Sequence, residues 1–132
     1  MSEVSANVDQ PIHLLVLVVD DDADVRQVLR WALEDAGFDV LTAGDGATAL
    51  AQAERRPPGV VVLDHGLPNT DGTHLASRLR QVLGEGLPIL MVTADGRAAE
   101  KARRAGAYSY LHKPFDDAVL IDAVRRGFAM GS

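Results

Sequence analysis

The sequence predicts a three-layer α/β/α domain in which five strands and five helices alternate around a parallel sheet. Three observations carry that prediction. Short apolar runs recur along the 132 residues, separated by segments of helical periodicity, and such alternation builds parallel sheets through right-handed crossovers. The runs also lack polar alternation, as strands buried on both faces do. Finally, four of the runs lead into side chains capable of chemistry. Leu14 to Val19 enters Asp20-Asp21-Asp22, Val60 to Leu63 ends at Asp64, Ile89 to Val92 ends at Thr93, and Tyr108 to Leu111 leads to His112-Lys113-Pro114. Sheets of this kind bind ligands at the carboxyl ends of their strands.

The elements follow in order. Residues 1–11 are polar and read as a flexible leader, 12–129 as one domain, and 130–132 as a tail. After the first strand, Val25, Val28, Leu29, Ala32, Leu33 and Ala36 form an apolar stripe at helical spacing. Asp22 can cap this helix and Gly37 can end it. Phe38 to Thr42 reads as the second strand, and Asp45 can cap a short helix reaching about Glu54. Gly44-Asp45-Gly46 is a turn, because the remainder of a nucleotide-binding glycine motif is missing.

Pro57-Pro58-Gly59 breaks the chain before the Val60 strand. A loop from His65 to Asp71 precedes a helix with Leu75, Leu79 and Leu83 inward. Gly84 to Pro88 turns into the Ile89 strand. Asp95 can cap the fourth helix and Gly106 can end it. After the Tyr108 strand, Leu120, Ile121, Val124 and Phe128 mark a last helix over 116–128.

Composition excludes several function classes. Hydrophobic residues make up 47% and charged ones 24%, a globular balance. The absence of cysteine removes thiolate metal sites and thiol nucleophiles. His13, His65, His74 and His112 lie in different elements without ligand spacing. No stretch suits a membrane span, and no signal pattern opens the chain, so a cytoplasmic location is expected. The net charge of −6 opposes direct nucleic-acid binding. That charge is uneven: residues 1–96 balance at −9 and residues 97–132 at +3.

Asp20, Asp21 and Asp64 are the metal candidates. Two carboxylates about 4 Å apart repel by roughly 4 kcal/mol at an effective dielectric near 20. A third is tolerated only if a cation neutralises the cluster or a pKa rises. Magnesium suits such oxygen donors. Asp22 is better read as a helix cap. Asp64 could attack a phosphoryl group or merely bind loop amides. Thr93 could donate to a phosphate oxygen or support the next helix. Lys113 could neutralise phosphate charge, and a cis Lys113-Pro114 bond would fix its direction.

From about Leu14 to Phe128 the chain resembles the receiver domain of two-component response regulators. The resemblance rests on Val18-Val19-Asp20-Asp21-Asp22, on Leu63-Asp64-His65-Gly66-Leu67-Pro68-Asn69-Thr70-Asp71-Gly72, on Val92-Thr93-Ala94, and on Tyr110-Leu111-His112-Lys113-Pro114-Phe115. It implies a flavodoxin-like, doubly wound sheet of order 2-1-3-4-5. It further implies that Asp64 accepts a phosphoryl group from a sensor histidine kinase or a phosphotransfer protein. Mg2+ would be held by Asp21, Asp64 and the backbone carbonyl of Gly66, with Asp20 acting mainly through water.

Thr93 and Lys113 would bind the phosphoryl oxygens, and Ala94 would leave Thr93 room to move. Tyr110 would turn inward with it, and Pro114 completes the switch set. The switching face would comprise the fourth helix, fifth strand and fifth helix, near Arg97, Lys101, Arg103, Arg104 and Ser109. That face would bind a downstream protein, an output domain or a second copy. His65 follows the acceptor, and Gly66 and Asp95 occupy positions that would tune the phosphoryl lifetime. The chain would then be no enzyme beyond its own phosphorylation and dephosphorylation.

Two rivals remain. An aspartate-nucleophile phosphohydrolase would place a second Asp where Gly66 stands. A receiver-like interaction module independent of phosphorylation would be expected to lack a pocket residue, and none is missing.

Overall fold

Five apolar strands and five amphipathic helices form in the predicted alternation. The computed structural model describes residues 14–67, 70–94 and 96–131. The expected leader, His13, Pro68, Asn69, Asp95 and Ser132 lie outside the described residues. The elements are β1 (Leu15–Val19), α1 (Ala23–Asp35), β2 (Asp39–Ala43), α2 (Gly46–Arg55), β3 (Val60–Asp64), α3 (Gly72–Leu83), β4 (Ile89–Thr93), α4 (Ala98–Ala105), β5 (Ser109–His112) and α5 (Asp117–Gly131). The strands pair in parallel in the order β2-β1-β3-β4-β5. This is the flavodoxin-like fold expected from the resemblance.

Alternate side chains of each strand serve opposite faces, the period-two consequence of the pleat. Leu17, Val19, Val61, Leu63, Ile89 and Met91 pack with α2, α3 and α4. Val16, Val18, Val60, Val62, Leu90 and Val92 pack with α1 and α5. Every residue of β1, β3 and β4 is buried. At the edge, β5 alternates between half-buried and exposed positions. It runs one residue later than the sequence suggests. Tyr108 only enters the ladder, through its amide to the Ile89 carbonyl at 3.0 Å.

The caps explain where the helices begin. Asp22 accepts from the amides of Asp24 and Val25. Asp45 accepts from Thr48, and Asp71 from Thr73. Each satisfies an amide that has no partner within its own helix. Gly37 and Gly106 adopt positive φ where α1 and α4 stop, as their sequence positions suggest. Asp95, the expected cap of α4, lies outside the described residues. Arg97 stands at the N-cap of that helix without a side-chain cap bond. The other end is held from outside, since Arg80 of α3 donates to the carbonyls of Ala105 and Gly106 at 2.6 and 2.7 Å.

Candidate functional site

The register delivers the reactive residues to one edge. Val19 lies opposite Leu63, Asp64 opposite Val92, and Thr93 opposite His112. The strand-end residues that follow therefore share the carboxyl edge of the sheet. The Lys113 amide donates to the Thr93 carbonyl at 2.9 Å, which extends the β4–β5 ladder and sets the lysine beside β4. The Lys113-Pro114 peptide is cis, as the sequence suggested.

Asp20, Asp21 and Asp64 each offer an oxygen within 4.8 Å of the others. Asp20 and Asp64 are buried and Asp21 is exposed. The Lys113 ammonium lies 2.8 Å from Asp20 Oδ2 and 3.5 Å from Asp64 Oδ2. The other oxygens are also occupied: Asp20 Oδ1 accepts the Asp22 amide and Asp64 Oδ1 the Gly66 amide, both at 3.0 Å. Thr93 is buried at the same edge.

Burial pushes the Asp64 carboxyl above its ordinary pKa, and the neighbouring Asp20 charge adds to that push. The Gly66 amide and Lys113 counter it only in part. For Lys113, burial favours loss of the proton. The facing carboxylates of Asp20 and Asp64 outweigh that tendency and hold the ammonium above its usual pKa.

Three carboxylates against one ammonium leave two negative charges at the edge. All three acids present oxygen donors, and Asp21 opens the cluster to solvent. A divalent cation that prefers oxygen ligands and retains waters fits this balance.

The remaining sequence candidates are also located. Gly66 is exposed beside Asp64, and Ala94 is exposed after β4. Tyr110 is 44% exposed, so its ring faces outward. His65 Nε2 lies 3.6 Å from Asp71 Oδ1. A Cβ at Gly72 would stand 3.0 Å from the His65 Cα, so the start of α3 packs closely on the residue after Asp64. Of the residues near the fourth helix, Arg97 and Arg104 both reach Glu100.

Sequence reasoning missed Arg26. Its Nη1 donates to the Asp20 backbone carbonyl at 2.7 Å. Its position beside the Val25 stripe was the one signal available, and a solvated helix arginine gives the same signal.

A flavodoxin-like sheet with an acidic trio and a lysine at its carboxyl edge defines a signalling module of the two-component class. The chain belongs to the response regulator receiver domain family, whose model matches residues 16–125. Receiver domains accept phosphoryl groups from histidine kinases, generally bind Mg2+ at an acidic pocket, and usually sit with output domains.

Over 114 residues the chain is 41% identical to an uncharacterized 14.6 kDa protein in the sodA1 3′ region of Leptolyngbya boryana, covering 84% of this chain and 87% of that one. It is 42% identical over 102 residues to the alkaline phosphatase synthesis transcriptional regulatory protein PhoP of Bacillus subtilis (strain 168). That match covers 76% of this chain but only 42% of PhoP. Among solved structures, the chemotaxis protein CheY4 of Vibrio cholerae superposes with a TM-score of 0.79 at 34% identity, covering 85% of this chain and 96% of that one. Among the described residues, no helix is long and apolar enough to cross a membrane.

Proposed function

We propose that this chain is a phosphorylation switch in which Asp64 accepts a phosphoryl group from the phosphohistidine of a sensor histidine kinase or phosphotransfer protein. The observation that carries this reading is the Lys113 ammonium set between Asp20 and Asp64, at 2.8 and 3.5 Å, beside a third carboxylate. A solvated acidic run would not need a lysine drawn in from the end of β5, at the edge of the sheet.

The Gly66 amide engages Asp64 Oδ1, while Oδ2 is the oxygen that faces Lys113. Oδ2 is therefore the attacking atom. It bonds to phosphorus as the phosphorus–nitrogen bond breaks, the leaving imidazole keeps the electron pair and is protonated, and an acyl phosphate forms. Asp21, Asp64 and the Gly66 carbonyl would hold Mg2+, with Asp20 acting through water. The bound ion would supply charge neutralisation for the phosphoryl oxygens. Lys113 pairs with one such oxygen, and the Thr93 hydroxyl donates to another.

The acyl phosphate carries about −1.5 to −2 charges where the Asp64 carboxylate carried one, and it moves that charge outward onto the phosphoryl oxygens. Thr93 moves toward the new oxygens, small Ala94 admits the movement, and Tyr110 turns inward. Lys113 and Pro114 link this change to β5, so the α4-β5-α5 face is the element biased by modification. A downstream protein, an output domain or a second copy reads that face. Gly66 and Asp95 tune the lifetime of the acyl phosphate. The receiver unit spans 12–129, works in the cytoplasm, and acts catalytically on itself alone.

The test is intact mass after incubation with Mg2+ and acetyl phosphate. The expected result is a gain of one phosphoryl group that Asp64→Asn abolishes. An unmodified wild type that also fails to bind Mg2+ would overturn the reading and favour a phosphorylation-independent interaction module.

A further inference from the structure

The loop between β1 and α1 carries Asp20 and Asp21, and a contact from α1 holds it. Arg26 folds back so that Nη1 donates to the Asp20 carbonyl at 2.7 Å. That carbonyl belongs to the peptide joining Asp20 to Asp21. The bond therefore restrains the peptide plane between the two acids. On the other side of the same residue, the Asp20 amide donates to the Ala43 carbonyl at 3.1 Å. The Asp20 carboxylate is fixed separately by the Asp22 amide and Lys113. Of these contacts, the Arg26 bond is the one made to the peptide that leads into Asp21.

The guanidinium rests in a seat provided by another element. A Cβ on Gly44, just after β2, would stand 2.8 Å from Arg26 Nη1 and 3.3 Å from Cζ. Gly44 does not have the positive φ found at Gly37, Gly84 and Gly106, so backbone strain does not call for glycine there. The space above it is filled by Arg26.

We infer that Arg26, seated against Gly44, is a positioning residue for the metal pair: it locks the Asp20–Asp21 peptide and so fixes where the Asp21 carboxylate meets the cation. This rests on the reading that the acidic trio binds Mg2+. Simple electrostatics gives the opposite sign, because a guanidinium near a cation site repels the cation. Removing it would then tighten binding. Supporting contacts around metal ligands typically change affinity by about 10- to 100-fold.

The test measures Mg2+ dissociation constants calorimetrically on the unphosphorylated full chain, with thermal unfolding in parallel. Gly44→Ala is the decisive variant, since it keeps the arginine and the net charge. Its added methyl meets only the far end of a flexible side chain, so the melting temperature should change little. Both Gly44→Ala and Arg26→Gln should weaken Mg2+ binding by roughly tenfold. The double variant should be no weaker than Arg26→Gln alone, because both changes break one bond.

Wild-type affinity in a folded Gly44→Ala, tighter binding in Arg26→Gln, or additive losses in the double variant would each overturn the inference. A wild type that binds no Mg2+ would instead overturn the metal reading beneath it. If Arg26→Gln does not fold, the charge-neutral Gly44→Ala comparison decides alone.

Discussion

The Lys113 ammonium lies closer to Asp20, at 2.8 Å, than to Asp64, at 3.5 Å. The lysine thus shields the more deeply buried acid and leaves the Asp64 charge less fully compensated. Two opposite mutational effects follow from this asymmetry.

Lys113→Met leaves buried carboxylates facing each other without a cation, and removing one partner of a buried pair is strongly destabilising. With 24% of the lysine side chain in water, the cost should be about 2 kcal/mol in metal-free protein, below the fully buried case. Asp64→Asn relieves the same repulsion and should raise metal-free stability. Urea unfolding at neutral pH with a chelator checks both signs. Added Mg2+ should stabilise the wild type through preferential binding to the folded state and narrow its gap to Asp64→Asn.

Asp71 anchors the start of α3 through a 2.7 Å bond from the Thr73 amide. That amide is the main reason its carboxyl is held below the usual range, against a smaller opposing effect of burial. A carboxylate with a lowered folded pKa contributes stability above its unfolded pKa and loses it as pH falls through the folded value. Asp71→Ala should cost about 1 kcal/mol at neutral pH. The deficit should shrink in acid below the ordinary value of 3.8. Asp71→Asn, an equivalent cap, should restore most of the neutral-pH stability. Chemical denaturation of the three proteins across that range is the measurement.

Much of this architecture was legible because its signals are local. Asp22, Asp45, Gly37 and Gly106 mark helix ends through backbone chemistry that neighbouring residues determine. The runs of β1, β3 and β4 betray double-sided burial by their unbroken apolarity. The edge was harder to read, since Tyr108 to Leu111 looks like one more buried run while β5 alternates in exposure. At the site, the acids, Thr93 and Lys113 were visible as strand-end residues. Arg26 and Gly44 were not, because their contact joins α1 to the end of β2 and follows no sequence spacing. Arg80, which holds the end of α4, was hidden for the same reason.

Gly127 makes room for Tyr108. A Cβ at this helical position would stand 2.6 Å from the tyrosine oxygen, 2.9 Å from its Cζ and 2.9 Å from Val60 Cγ2. Val60 is fully buried in β3 and cannot withdraw. Overpacking of this kind costs about 1–3 kcal/mol, against about 1 kcal/mol by which alanine is the better helix former. Gly127→Ala should therefore destabilise by up to about 2 kcal/mol. Combining it with Tyr108→Phe should cost less than the sum of the single changes, because the nearest clash is then absent. Thermal and urea denaturation of the four proteins would close the cycle.

Tyr108 also gives the chain a measurable alkaline limit. Its hydroxyl donates to the Ala123 carbonyl at 2.6 Å, and burial pushes its pKa up to about 12 from 10.0, with Arg126 opposing slightly. The folded protein therefore keeps the phenol proton at pH values where the unfolded chain has lost it. Stability from this group is complete below pH 10.0 and declines as pH rises toward about 12. A tenfold difference in proton affinity between the folded and unfolded states corresponds to about 1.4 kcal/mol. Since the ring is only partly buried, a loss of about 1–2 kcal/mol is the expected scale. Tyr108→Phe has no proton to lose, and the difference between it and wild type cancels every other group that titrates there. That difference should shrink steadily between pH 10.0 and about 12. A stability gap independent of pH across this window would mean that the phenol ionises equally in both states.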